Sequence, residues 1–292
     1  MSQAGLELGP RLAFAALVVW CLGGCGPSGN QQLPTGAPHN QPSSDHGPAN
    51  SGSSPRGNVA HPSYLGGPVL QNARVVAIYW NSNVSFQPQI EAFYRVITTS
   101  AYFAGLAEYG TSNPRQTINY GSLVAAILDP GPPAGSLIRN SDIQQELSRL
   151  ISHGQVPKND ADTVYMLHFP SGISIEFDGG SACADFCAYH TTYQINGTNV
   201  YYAVIPDMGG TCSSACGPST QLGNTTAAAS HELAEAVTDP AVGLAAGYGP
   251  PLGWYDQEAG EIGDICNGER SIIAGFTVQP VWSNALGRCR TF

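Results

Sequence analysis

From Gly26 to Ser63 the chain offers only Leu33, Ala37, Ala49, Val59 and Ala60 as apolar residues, and no aromatic at all. Such a stretch cannot bury enough apolar surface to offset the entropy of ordering it, so it reads as a flexible tether. Whatever folds must therefore come from residues 64–292, enough chain for one sizeable core and a single domain.

Ahead of the tether, Leu12 to Leu22 form an apolar run after Arg11. It is too short to span a bilayer as a mature helix and reads as the core of a signal peptide covering residues 1–24. Leu22-Gly23-Gly24-Cys25 follows directly and looks like a bacterial lipobox, whose cysteine thiol takes the lipid. The expectation is an exported lipoprotein of the cell envelope, at the outer membrane or cell surface, held to the membrane through Cys25 and spaced from it by residues 25–63. Eleven Lys and Arg against 21 Asp and Glu give a formal charge of −10, so there is no basic field to hold a phosphate backbone. Nucleic acid is excluded as a partner.

Within residues 64–292, Arg74 to Trp80 is a β-branched and aromatic run that predicts a buried strand, with further strands within Ile118–Leu128 and at Thr163–Phe169. Ile90, Phe93, Tyr94 and Ile97 recur at helical spacing. Ser141-Asp142-Ile143-Gln144 reads as a capping box opening a helix with the stripe Ile143, Leu147, Leu150 and Ile151. Asn196-Gly197 predicts the turn of a hairpin over Thr191–Asp207. A late helix is expected from Asn224 to Thr238, stopped by Asp239-Pro240, and a last strand at Phe276–Trp282. The fold class read from this order is α+β with a mixed sheet.

Setting aside Cys21 and Cys25 leaves Cys183, Cys187, Cys212, Cys216, Cys266 and Cys289, an even set suited to disulfides in an oxidising compartment. Local pairing within each CxxxC, with Cys266 to Cys289 as the third bridge, is the simplest arrangement among about fifteen. A Cys₄ zinc site is the other reading, set behind disulfides because an exported protein meets oxidation first.

The residues that carry chemistry lie on the late helix, in Ser230-His231-Glu232-Leu233-Ala234-Glu235. His231 and Glu235 are one turn apart and project from one face, while Ala229, Leu233, Ala236 and Val237 take the other. HExxH grips zinc with two imidazoles while its glutamate acts as general base; here Glu235 replaces the second histidine and moves selectivity toward harder ions. Downstream, Asp256, Glu258, Glu261 and Asp264 crowd one Gly-rich loop. Glu261 and Asp264 are favoured as the third ligand because Cys266 can fix them in place, and His190 is a weaker candidate. The competing expectation is a solvated acidic helix face and a hydrated loop.

With these residues in view, the chain resembles the phosphate-induced, EXORDIUM-like family of extracellular proteins, found in plants and bacteria. The resemblance is carried by Cys183-Ala184-Asp185-Phe186-Cys187-Ala188-Tyr189-His190, by Cys212-Ser213-Ser214-Ala215-Cys216, by Ser230 to Glu235 running on to Asp239-Pro240, by Gly253-Trp254-Tyr255, by Glu261-Ile262-Gly263-Asp264-Ile265-Cys266, and by Trp282 to Cys289. It implies an exported, disulfide-bearing wall or envelope protein, with a helix that looks like a zincin active-site helix.

The expected reading is thus a monomeric metalloprotein with metal-dependent peptidase chemistry. His231, Glu235 and one of Glu261 or Asp264 hold a divalent metal, zinc by the pattern, and Glu232 is the catalytic base. The alternative is a non-catalytic envelope protein that binds glycan or a protein partner through residues such as Trp254 and Tyr255.

Overall fold

The computed structural model describes residues 60–291. The expected signal segment, the expected lipidation at Cys25 and the expected tether up to residue 59 lie outside the described residues. Residues 60–63, which the sequence places in the tether, are held by the fold: the His61 amide donates to Asp256 Oδ2 at 2.8 Å, and Ser63–Tyr64 pairs antiparallel with Trp254–Tyr255.

Five strands build the central sheet: β1 (Arg74–Tyr79), β2 (Ser122–Leu128), β3 (Thr163–His168), β4 (Tyr189–Ile195) and β5 (Thr198–Ile205), in the order β4-β5-β3-β1-β2. β1 runs parallel to both β2 and β3, and β5 runs parallel to β3. β4 alone is antiparallel, because it is joined to β5 by the Asn196-Gly197 turn, where both residues take positive φ (50° and 78°).

Alternation along these strands separates two cores. Val75, Ala77 and Tyr79 face one core with Val164, Met166, Tyr201, Ala203 and Ile205. Val76, Ile78, Tyr165, Leu167, Tyr202 and Val204 face the other. Strands buried on both sides need helices on both sides. α1 (Gln87–Ile97) covers the first face with Ile90, Phe93, Tyr94 and Ile97, and α2 (Asn140–Ser152) covers the second with Ile143, Leu147 and Leu150. The capping of α2 differs from the Ser141 box: Asp142 Oδ2 accepts the backbone N–H of Arg139, so the N-cap is Arg139 and the helix starts two residues earlier, at Asn140. Mixed helices around a mixed sheet match the expected class, and no helix among the described residues is long and apolar enough to cross a membrane.

The late helix, α3 (Gln221–Thr238), starts before Asn224 because Thr220 caps it, its Oγ1 accepting the Gly223 N–H at 3.1 Å. It packs on β5 and β4 of the first face and beneath a hairpin of β6 (Ser271–Ile273) and β7 (Phe276–Val278). Small residues permit this sandwiching: a side chain at Gly223 would collide with Ser219 and Thr277, and Ala227, Ala228, Ala229, Ala234 and Ala236 are all fully covered. The expected last strand is split at Gln279-Pro280 into β7 and β8 (Val281–Ser283), the latter pairing with β9 (Arg288–Arg290). Proline has no N–H to extend a ladder, so the chain turns there and delivers the Gln279 side chain inward.

The disulfides are Cys183–Cys212, Cys187–Cys216 and Cys266–Cys289. The third is the expected bridge; the two local CxxxC pairings are not formed. Cys212 and Cys216 are one helical turn apart, with the Cys216 N–H donating to the Cys212 carbonyl at 2.9 Å. Residues one turn apart on a helix point the same way rather than at each other, and both reach across to the Cys183–Cys187 segment.

Candidate metal centre

The centre assembles from three pieces of chain. α3 contributes His231, Glu232 and Glu235, and β4 contributes His190. Its cross-strand neighbour is Ala203, which belongs to the α3-side core, so the alternation of the sheet aims His190 at α3. The third piece is the loop from Asp256 to Cys266, bringing Glu261 and Asp264.

That loop is ordered by its own backbone. Asp256 exchanges two backbone hydrogen bonds with Gly260, at 2.8 and 3.0 Å, and its Oδ1 accepts from Glu258 and Ala259, both at 2.9 Å. Asp256 is therefore an organiser of the loop, and Glu258 is exposed, which agrees with setting both aside as ligands. Trp282 N–H to the Ile262 carbonyl (2.8 Å) and the Cys266–Cys289 bridge tie the loop's far end down. Gly263 makes the final approach possible: a Cβ there would stand 2.7 Å from Glu235 Oε1 and 2.8 Å from His231 Nδ1.

Every residue of α3 from Gly223 to Thr238 is buried, which excludes the solvated-face expectation. His231, Glu235 and Glu261 have no exposure, His190 and Glu232 almost none, and Asp264 alone keeps 16% of its side chain in contact with solvent. Glu235 is the hub. Its Oε1 accepts the N–H groups of Gly263 (3.1 Å) and Asp264 (3.0 Å), and its Oε2 lies 3.0 Å from His231 Nε2 and 3.5 Å from His190 Nδ1. His190 Nδ1 is also 3.3 Å from Glu232 Oε2, and its Nε2 is 3.4 Å from both Glu261 Oε1 and the Asp239 carbonyl. Asp264 Oδ1 stands 3.7 Å from His231 Nε2.

Behind His231, Gln279 Nε2 lies 2.6 Å from Nδ1 and 2.8 Å from the Gly263 carbonyl. Against burial, which lowers it, Glu235 and Glu232 lift the His231 pKa to about 10, whereas an amide donor on Nδ1 suits the neutral ring. The hydrogen bond is the firmer constraint, because the same nitrogen is engaged by a carbonyl that can only accept. The ring proton then sits on Nε2, facing Glu235.

Five carboxylates meet here: Glu232, Glu235, Asp239, Glu261 and Asp264. The positive groups acting on them are the two imidazoles, so full ionisation would leave three negative charges uncompensated. Like charges about 4 Å apart repel by about 4 kcal/mol even at an effective dielectric of 20. The protonation pattern follows: burial raises Glu235, but His231 and His190 outweigh it and bring the group down to about 2. Burial and the Glu235 charge push Asp264 up to about 8, and burial raises Asp239 to about 7 and Glu261 well above its usual range. Glu232 is raised as well, by burial first.

Several of these oxygens are sealed from solvent without a hydrogen-bond donor: Glu232 Oε1, both Glu261 oxygens, Asp239 Oδ2 and Asp264 Oδ1. Buried acceptors left in this state are costly, and a cation with oxygen and nitrogen ligands removes the cost. Two groups have the spacing to hold one: His231, Glu235 and Asp264, and His190, Glu235 and Glu261, the ligand atoms of each lying within 4.8 Å of one another. No family model, curated protein or solved structure matches this chain.

The four ligand candidates read from the sequence, with Glu232, thus converge, and Glu261 and Asp264 both belong instead of competing for one place. Three participants carry a weak sequence signal or none. His190 reads from the sequence as a weaker candidate than the others, although its place on a strand face turned toward the helix core is a usable signal. Asp239 reads only as a helix stop, yet its Oδ1 accepts the Gly253 N–H at 2.8 Å and its carboxylate joins the cluster. Gln279 carries no sequence signal beyond the proline after it.

Proposed function

We propose that this chain is an exported, envelope-anchored metalloprotein with metal-dependent peptidase chemistry, in which His231, Glu235 and Asp264 hold zinc or a similar divalent ion. The observation that carries the reading is the sealed, under-compensated cluster of carboxylates and imidazoles on α3. A bound divalent ion would supply Lewis acidity toward a scissile carbonyl. Glu232 suits the general base: burial raises its pKa above the ordinary carboxylate value, which strengthens it as a base, and Oε1 has no competing donor. The lipobox at Leu22–Cys25 and the EXORDIUM-like motifs support export, as do three disulfides.

One observation favours a non-catalytic reading. Since only Asp264 keeps solvent contact, an ion here would also act as a staple between α3 and the 256–266 loop, leaving envelope binding to other surfaces. Elemental analysis and proteolysis assays on wild type, His231→Ala and Glu232→Gln separate the two. The peptidase reading expects metal in wild type, loss of most of it in His231→Ala, and metal without peptide hydrolysis in Glu232→Gln. Metal in the wild type with no hydrolysis of any peptide substrate supports the staple, and no transition metal in any of them overturns both.

A further inference from the structure

The cluster contains two triads, not one, and they share a single residue. His231, Glu235 and Asp264 form the first; His190, Glu235 and Glu261 form the second. Each imidazole reaches the same oxygen of Glu235 from a different element, α3 on one side and β4 on the other, at 3.0 and 3.5 Å. Bonds of about 2.0–2.2 Å at tetrahedral angles place ligand atoms about 3.3–3.6 Å apart; the His190 separations from Glu235 and Glu261, 3.5 and 3.4 Å, fall within that range, and those of His231 from Glu235 and Asp264, 3.0 and 3.7 Å, lie just to either side of it.

We propose that the centre binds two divalent cations, with Glu235 as the shared ligand, His231 and Asp264 completing one site, and His190 and Glu261 the other. This rests on the metal reading above and extends it to a second ion. The charge balance favours two. One divalent ion with neutral imidazoles leaves five carboxylates at a net −3, whereas two bring the same set to −1, a balance that a buried cluster can tolerate with far less repulsion. The Glu235 backbone contacts fit the bridging role, since two N–H donors fix Oε1 and leave Oε2 turned toward both rings. Glu261 supports the second site most directly: it is fully buried, both oxygens lack a hydrogen-bond donor, and His190 is its only ion-pair partner among the described residues. At the first site the ion takes the place of the Nε2 proton of His231; the ring proton then moves to Nδ1, and the Gln279 amide must give up its bond to the Gly263 carbonyl and rotate to accept it. Donor sets of one imidazole and several carboxylates suit Mn²⁺ and Zn²⁺.

The test is stoichiometry. Apo protein is titrated calorimetrically with Zn²⁺ and, separately, with Mn²⁺, and the Mn²⁺-loaded form is read by electron paramagnetic resonance for spin coupling. Two ions per chain and a coupled Mn²⁺ pair are expected, falling to one uncoupled ion in His190→Ala. Glu261→Gln keeps the shape of the side chain and guards against misfolding of the histidine variant; it should weaken the second ion at least tenfold while the first is retained. One ion per wild-type chain overturns the two-ion proposal and leaves the metal reading standing. Two ions that persist in both variants also overturn it, and no ion at all removes both.

Discussion

At the residue scale the centre depends on an absent side chain as much as on those present. Gly263 lies against Glu235 and His231, and neither neighbour is free to retreat: Glu235 is tied by two N–H groups and His231 by Gln279. Gly263→Ala should therefore lower stability by about 1–3 kcal/mol in urea unfolding and weaken metal binding more than tenfold. Gly131→Ala, where an added Cβ meets nothing within 4 Å, should change neither. The sequence offered the ligands but not this requirement. Glu235 and His231 announce themselves by one-turn spacing, whereas the need for glycine at 263 exists only once a loop some thirty residues downstream folds back on the helix.

At the scale of elements, the buried contact between β3 and α1 carries a pH dependence of its own. His168, the last residue of β3, meets the Tyr94 hydroxyl of α1 at 2.9 Å, and burial lowers its pKa from 6.5 to about 3. Between those two values the unfolded chain binds a proton that the folded chain refuses, so stability is intact above pH 6.5 and declines as pH falls toward 3, by up to about 5 kcal/mol. His168→Gln should lose less stability than wild type on acidification across that window, as chemical denaturation at pH 7 and pH 4 would show. Strand and helix patterns were legible here. Arg74 to Tyr79 and the stripe Ile90, Phe93, Tyr94, Ile97 formed as their periodicity predicts, because burial of a continuous face decides both. Ends were less so: α3 extends to Gln221 because a threonine cap outweighs the three residues of Gln-Leu-Gly that follow it, and the strand at Phe276 breaks because Pro280 cannot donate. The second site was illegible for a different reason, since His190 meets Glu261 only through the pairing of β4 with β5 and the packing of α3 on both.

At the scale of the whole molecule, the bridges decide which pieces stay together. Cys183–Cys212 and Cys187–Cys216 both span 29 residues, and each should stabilise the fold by roughly 3–4 kcal/mol through the unfolded state. Reduction under native conditions should therefore lower the melting temperature and release bound metal together, as calorimetry with and without a thiol reductant would show; metal retained after complete reduction would contradict this. Spacing alone favours local pairing within each CxxxC. A ladder between two such segments is visible only when both are seen side by side.

The bridges Cys187–Cys216 and Cys266–Cys289 also set an order in time. Cys187 lies just ahead of the strand that carries His190, Cys216 just ahead of the helix that carries His231, and Cys266 closes the loop that carries Glu261 and Asp264. Each piece of the centre is thus fastened beside an oxidised cysteine. A chain with reduced thiols lacks those fastenings, so the geometry of the centre would be completed only where its thiols are oxidised, and any ion it took would be one present there.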